Sequence, residues 1–108
     1  MIKVILYKKN NEFVGFEISG HAMYSDGEYD IVCAGVSTLS QSYIFHLVED
    51  CNLKEEDFCV EQKSGYLKLE LKKNDKYIQN SFKFLSTGLK LLEKEYKKHV
   101  KVLEVQYD

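Results

Sequence analysis

The residues best suited to covalent chemistry fall in one stretch, which opens with Gly20-His21-Ala22 and closes with Asp30-Ile31-Val32-Cys33-Ala34-Gly35-Val36-Ser37. A thiol attacks as its thiolate, so it needs a proton acceptor nearby and later a donor for the leaving group. Histidine suits both tasks because it titrates near neutrality. His21 precedes Cys33 by twelve positions, and a folded-back loop can bring an imidazole to the sulfur. Asp30 is well placed to N-cap a helix, which puts Cys33 in the first turn beside unpaired amides and the positive end of the helix dipole. That field favours a thiolate. The same amides are natural donors for a developing oxyanion. Ser37, one helical turn after Cys33, is placed to bond near the thiol or back to a helix carbonyl.

A plainer reading of these residues stands beside the first. A single cysteine on an amphipathic helix is commonly a small core residue, a loop histidine a polar surface group, and an aspartate cap only a cap. Other site chemistries are poorly supplied. His21, His46, His99 and the cysteines Cys33, Cys51 and Cys59 lack the short spacing of structural zinc sites. The run Asp26-Gly27-Glu28-Tyr29-Asp30 lacks the alternating ligands and terminal glutamate of a calcium loop. Cys33 has no neighbouring cysteine to resolve a disulfide. No metal and no cofactor are expected.

The elements that must hold these groups follow from periodicity. Ile2 to Lys8 is β-branched and aromatic-rich, as strands prefer. Lys9-Asn10-Asn11-Glu12 offers turn chemistry, and a second strand follows with Val14, Phe16 and Ile18 expected on its buried face. Ser19 to Tyr29 has neither period and reads as a long functional loop, with Tyr24 and Tyr29 as candidate cleft-lining groups. From Ile31 to about Glu49, Val32, Val36, Leu39, Tyr43 and Leu47 fall on one helical face. Phe58 to Glu61 is a short strand, Ser64-Gly65 a hairpin turn, and Tyr66 to Lys72 a strand with Leu67, Leu69 and Leu71 alternating.

Asn74 or Asp75 then caps a second helix whose stripe is Ile78, Phe82, Leu85, Leu89, Leu92 and Tyr96. Gly88 within it marks a close approach, while Phe84 and Leu91 lie off the stripe and would mark an interface if exposed. Val100 to Tyr107 is the last strand. The order ββαββαβ implies an α+β fold, a single two-layer domain over residues 1–108 with a mixed sheet and two helices packed on it.

Composition removes several function classes. In 108 residues, 15 basic side chains face 17 acidic ones, which argues against a non-specific nucleic-acid binder. Every basic residue is lysine, so the planar fork used to read bases is missing and no direct nucleic-acid reading is expected. Three cysteines without a C-x-x-C unit do not make a secreted disulfide scaffold. No apolar run in the sequence reads as a membrane span, and the N-terminus reads as a strand in place of a signal peptide. A reducing, cytoplasmic setting is expected.

The paired motifs Gly20-His21-Ala22 and Asp30-Ile31-Val32-Cys33-Ala34-Gly35-Val36-Ser37, separated by a loop containing Gly27, resemble the ribosomal-processing cysteine protease family Prp across essentially the whole chain. The resemblance implies a cytoplasmic bacterial thiol endopeptidase. Such an enzyme removes a short N-terminal extension from the precursor of large-subunit ribosomal protein twenty-seven and so serves ribosome assembly. It places the catalytic pair on His21 and Cys33 and the supporting residues on Asp30 and Ser37, in a homodimer with a mobile loop between the pair. The competing class is a non-enzymatic dimeric protein-binding module associated with ribosome assembly. Selective alkylation of Cys33 separates the two.

Overall fold

The computed structural model describes residues 1–25 and 30–107. Two hairpins and two helices build it, in the order expected: β1 (Ile2–Lys9), β2 (Glu12–Ser19), α1 (Ile31–Glu49), a 3-10 turn at Glu55–Asp57, β3 (Phe58–Lys63), β4 (Tyr66–Leu71), α2 (Lys76–Glu95) and β5 (Val100–Gln106). The five strands form one mixed sheet, β3-β4-β2-β1-β5, with β5 parallel to β1 and the other pairs antiparallel. Asn10 and Asn11 take φ of 52° and 65° in the first turn, the left-handed geometry asparagine tolerates.

Both helices cover one face of the sheet. Ile2, Val4 and Leu6 of β1, Phe16 and Ile18 of β2 and Leu67 and Leu69 of β4 are buried with Val32, Val36, Tyr43 and Leu47 of α1. Ile78, Phe82, Leu85 and Leu89 of α2 complete that core. Asp75, not Asn74, caps α2, its carboxylate accepting from Ile78 N at 2.9 Å. Gly88 lies under Leu39, and a Cβ there would sit 3.1 Å from Leu39 Cδ1. This is the close approach expected of that glycine. The Tyr43 hydroxyl donates to Ile78 O at 2.9 Å and ties the helices together.

The expected face of β2 needs correction. Phe13 is buried and Val14 only half-buried. The β1–β2 register shifts between Tyr7 and Lys8, which pair with Gly15 and Phe13 respectively. Val14 is therefore the extra residue of a bulge, which reverses the side-chain alternation beyond it. Phe13 turns inward and stacks on Phe82 at 4.6 Å between ring centroids. Buried Gln79 serves the distorted backbone, accepting from Phe13 N at 2.8 Å and donating to Phe13 O at 2.7 Å.

A second correction concerns α1. Its 19 residues are long and apolar enough, by length and composition, to cross a bilayer. Here Val32, Val36, Tyr43 and Leu47 of that helix are packed into the core, while Ile31, Phe45 and Val48 are exposed.

Candidate active site

The sheet delivers the imidazole and the helix delivers the sulfur. Ser19 at the end of β2 pairs with Tyr66 at the start of β4, so the chain leaving β2 runs beside the β3–β4 turn. Gly20 takes φ +93° and its N–H donates to Gly65 O at 2.9 Å. The next residue, His21, lies against Gly65. A Cβ added at Gly65, itself at φ +66°, would fall 2.8 Å from His21 Nε2.

Cys33 occupies the first turn of α1, as the N-cap reading requires. Asp30 Oδ1 accepts from Val32 N at 2.9 Å and from Cys33 N at 3.1 Å. Its Oδ2 accepts from Tyr24 N at 3.0 Å. Desolvation pushes this carboxyl up, but the bonds from Cys33, Tyr24, Val32 and Ser25 outweigh it and hold Asp30 below its ordinary range. Two amides expected to be free for an oxyanion, those of Val32 and Cys33, are thus already engaged by the cap. The donor that reaches the sulfur is instead Ala22 N–H, 3.3 Å from Cys33 Sγ.

His21, Cys33 and Ser37 line one cleft of about 210 Å³. Its remaining wall includes Ile2, Ile18, Val36 and Leu67 as apolar surface, with Gln41, Gln62, Lys63 and Tyr66 as polar surface. Asp30 is not among the lining residues and acts as the cap of α1. Tyr24 is not among these lining groups, contrary to expectation. Its ring packs edge-on against Tyr96 at 5.4 Å and His99 at 5.2 Å. Tyr29, the other candidate lining group, lies outside the described residues. Sequence reasoning missed Gly65 and Tyr66 because they reach the site only through strand pairing.

The far end of α1 carries a cysteine and a histidine in contact. Cys51 Sγ lies 3.5 Å from His46 Nε2, and His46 Nδ1 lies 2.7 Å from Asp50 Oδ2. The electrostatics there are adverse to a thiolate. Burial, then the charges of Asp75 and Asp50, push the Cys51 thiol up, and the helix C-terminus carries the negative end of the dipole. Among the described residues, no three His, Cys, Asp or Glu side chains gather in a way that could hold a metal ion.

Comparison with known proteins agrees with this arrangement of elements. Among curated proteins none matches the chain. A Streptococcus mutans protein of known structure superposes with a TM-score of 0.82 at 26% identity, over 99% of this chain and 96% of its own. The S. aureus essential ribosomal processing protease Prp, in complex with a covalently linked product peptide, superposes with a TM-score of 0.85 at 20% identity, over 97% of this chain and all, 100%, of its own. The same S. aureus protease in complex with a substrate peptide gives 0.81 at 19% identity, over 97% of this chain and 100% of that one. The family model described as cysteine protease Prp matches residues 1–101, so the chain belongs to the Prp family of ribosomal-processing cysteine proteases.

Proposed function

We propose that the chain is a cytoplasmic endopeptidase that uses Cys33 as nucleophile and His21 as general base and acid. Its substrate is the precursor of large-subunit ribosomal protein twenty-seven, from which it removes the short N-terminal extension. The observation that carries the assignment is the seat of Cys33 in the capped first turn of α1, on one cleft with His21. His21 takes the thiol proton and the thiolate attacks the scissile carbonyl, forming a thioester as the amine leaves with the proton from His21. Water then hydrolyses the thioester and regenerates the thiol. Asp30 supports the site by fixing the start of α1, and Ser37 by lining the cleft. The S. aureus relatives held with substrate and product peptides favour a peptide occupant for this cleft.

The discriminating experiment is mass spectrometry of the extended ribosomal precursor after incubation with wild-type and variant protein. Cys33→Ala abolishes cleavage, and Cys51→Ala preserves it. The converse pattern would transfer the nucleophile to the far end of α1. The functional unit is a homodimer on this reading. Its support is the exposed apolar surface of the helices, where Phe84 and Leu91 are 77% and 56% accessible.

A further inference from the structure

His99 is the histidine that neither the catalytic scheme nor the pair at Cys51 uses. It follows α2 and immediately precedes β5, and its backbone is held at both ends. Its N–H donates to Tyr96 O at 2.8 Å, and its carbonyl accepts from Ile2 N at 2.8 Å. Its half-buried ring reaches across to the loop after β2, where Nδ1 lies 2.9 Å from Ala22 O. A carbonyl oxygen only accepts, so the proton of this bond sits on Nδ1. Ala22 is 1% exposed, and its own N–H points to Cys33 Sγ at 3.3 Å. The Tyr24 ring covers the imidazole edge-on. Two hydrogen bonds, joined through the covalent backbone of Ala22, thus link the entrance of β5 to the sulfur.

We propose that His99 is a positioning residue for the protease reaction: by holding the Ala22 carbonyl it aims the Ala22 N–H at Cys33 and stabilises negative charge on the sulfur. This rests on Cys33 being the nucleophile. A donor fixed before the thiolate forms needs no reorganisation when charge appears, which is where such contacts contribute most. Because Ala22 directly follows His21, the same tether also fixes the backbone that carries the base.

The test compares His99→Phe, which keeps a ring beside Tyr24 and loses the donor, with His99→Asn, whose side-chain amide nitrogen takes the place of Nδ1. Three quantities are read: the rate of Cys33 alkylation by iodoacetamide at neutral pH, mapped by peptide mass, and the kcat and KM of precursor cleavage. In His99→Phe, alkylation and kcat each fall about tenfold, the low end for a bond to a charged acceptor, while KM stays within about twofold. His99→Asn restores both rates to within about threefold of wild type on the same reasoning. Wild-type alkylation in folded His99→Phe overturns the proposal, as does an equal loss in His99→Asn. If His99→Phe fails to fold, the Ala22 amide resonance decides. It shifts in Cys33→Ser and not in Cys51→Ser, and no shift in Cys33→Ser overturns the proposal. Full cleavage by Cys33→Ala would instead sink the nucleophile assignment beneath it.

Discussion

A methyl group added at Gly65 tests whether His21 acts where the fold holds it. The alanine Cβ would lie 2.8 Å from His21 Nε2, against an ordinary contact of about 3.5 Å. The imidazole must therefore retreat by about 0.7 Å, the difference between that ordinary contact and the built distance. Exposed as it is, the ring can move without disturbing the core. Since a misplacement of about 1 Å in a catalytic group can cost about a hundredfold, Gly65→Ala lowers kcat for precursor cleavage some tens of fold. Backbone strain adds a separate effect. At φ +66° alanine destabilises the fold by about 1–2 kcal/mol, a fall of several degrees in melting temperature for a domain of about this size.

Gly65→Asn separates the two effects, because asparagine tolerates the left-handed backbone but carries the same Cβ. It melts closer to wild type yet loses kcat like alanine. Steady-state cleavage and thermal denaturation of the three proteins supply the comparison. Undiminished kcat in folded Gly65→Ala would show that the resting position of His21 against the β3–β4 turn is irrelevant to the reaction.

Gln79→Leu strips both partners from the buried N–H and C=O of Phe13 and destabilises the fold by about 2–4 kcal/mol; urea denaturation within about 0.5 kcal/mol of wild type would contradict that account of the bulge. Glu17 accepts from the Tyr66 and Tyr7 hydroxyls, each at 2.7 Å, which lower its own carboxyl, while its acceptance of those bonds raises Tyr7 and Tyr66 each to about 12. The carboxylate's contribution is present above the ordinary glutamate range and is lost as pH falls through the lowered value; that of the phenols is present below about pH 10 and is lost as pH rises towards their raised value. In Glu17→Gln the tyrosinate absorbance accordingly develops at lower pH than in wild type, and superimposable titrations would refute the link. Phe84→Asp removes the apolar surface assigned to the homodimer and yields a folded monomer in sedimentation equilibrium, whereas an unaltered dimer would place the interface elsewhere.

What could be read from the chain was local. The stripe from Ile78 to Leu89 is buried along one side of α2, and the caps Asp30 and Asp75 mark where both helices begin. Leu67 and Leu69 face inward as their alternation requires. The failures share a cause, namely partners distant in sequence. Simple alternation assigned Val14 to the core, but the irregular pairing with β1 gives that place to Phe13. Tyr24 has no cleft-facing role because its partners, Tyr96 and His99, stand at the other end of the chain. The candidate stretch was legible as a motif, since a cap, a cysteine and a histidine lie close together. Its backing by Gly65 and His99 was not, because no spacing rule links Gly20–Ala22 to a hairpin turn or to the entrance of β5.

The two ends of α1 state the chemical argument in its sharpest form. Each end has a cysteine with histidine and aspartate close in sequence, and proximity alone favours the pair at the C-terminal end, since Cys51 and His46 stand 3.5 Å apart. Burial, and after it charge, weighs against that pair. At the C-terminal end the carbonyl dipoles, Asp50 and Asp75 all oppose a thiolate. At the N-terminal end the aspartate turns its oxygens onto backbone amides, and the sulfur receives an N–H from Ala22. A thiolate is stabilised by hydrogen-bond donors, by positive potential and by a protonated imidazole alike. The polarity of a single helix therefore sets its two cysteines in opposite fields, and that contrast is what supports the proposal of Cys33 as the nucleophile.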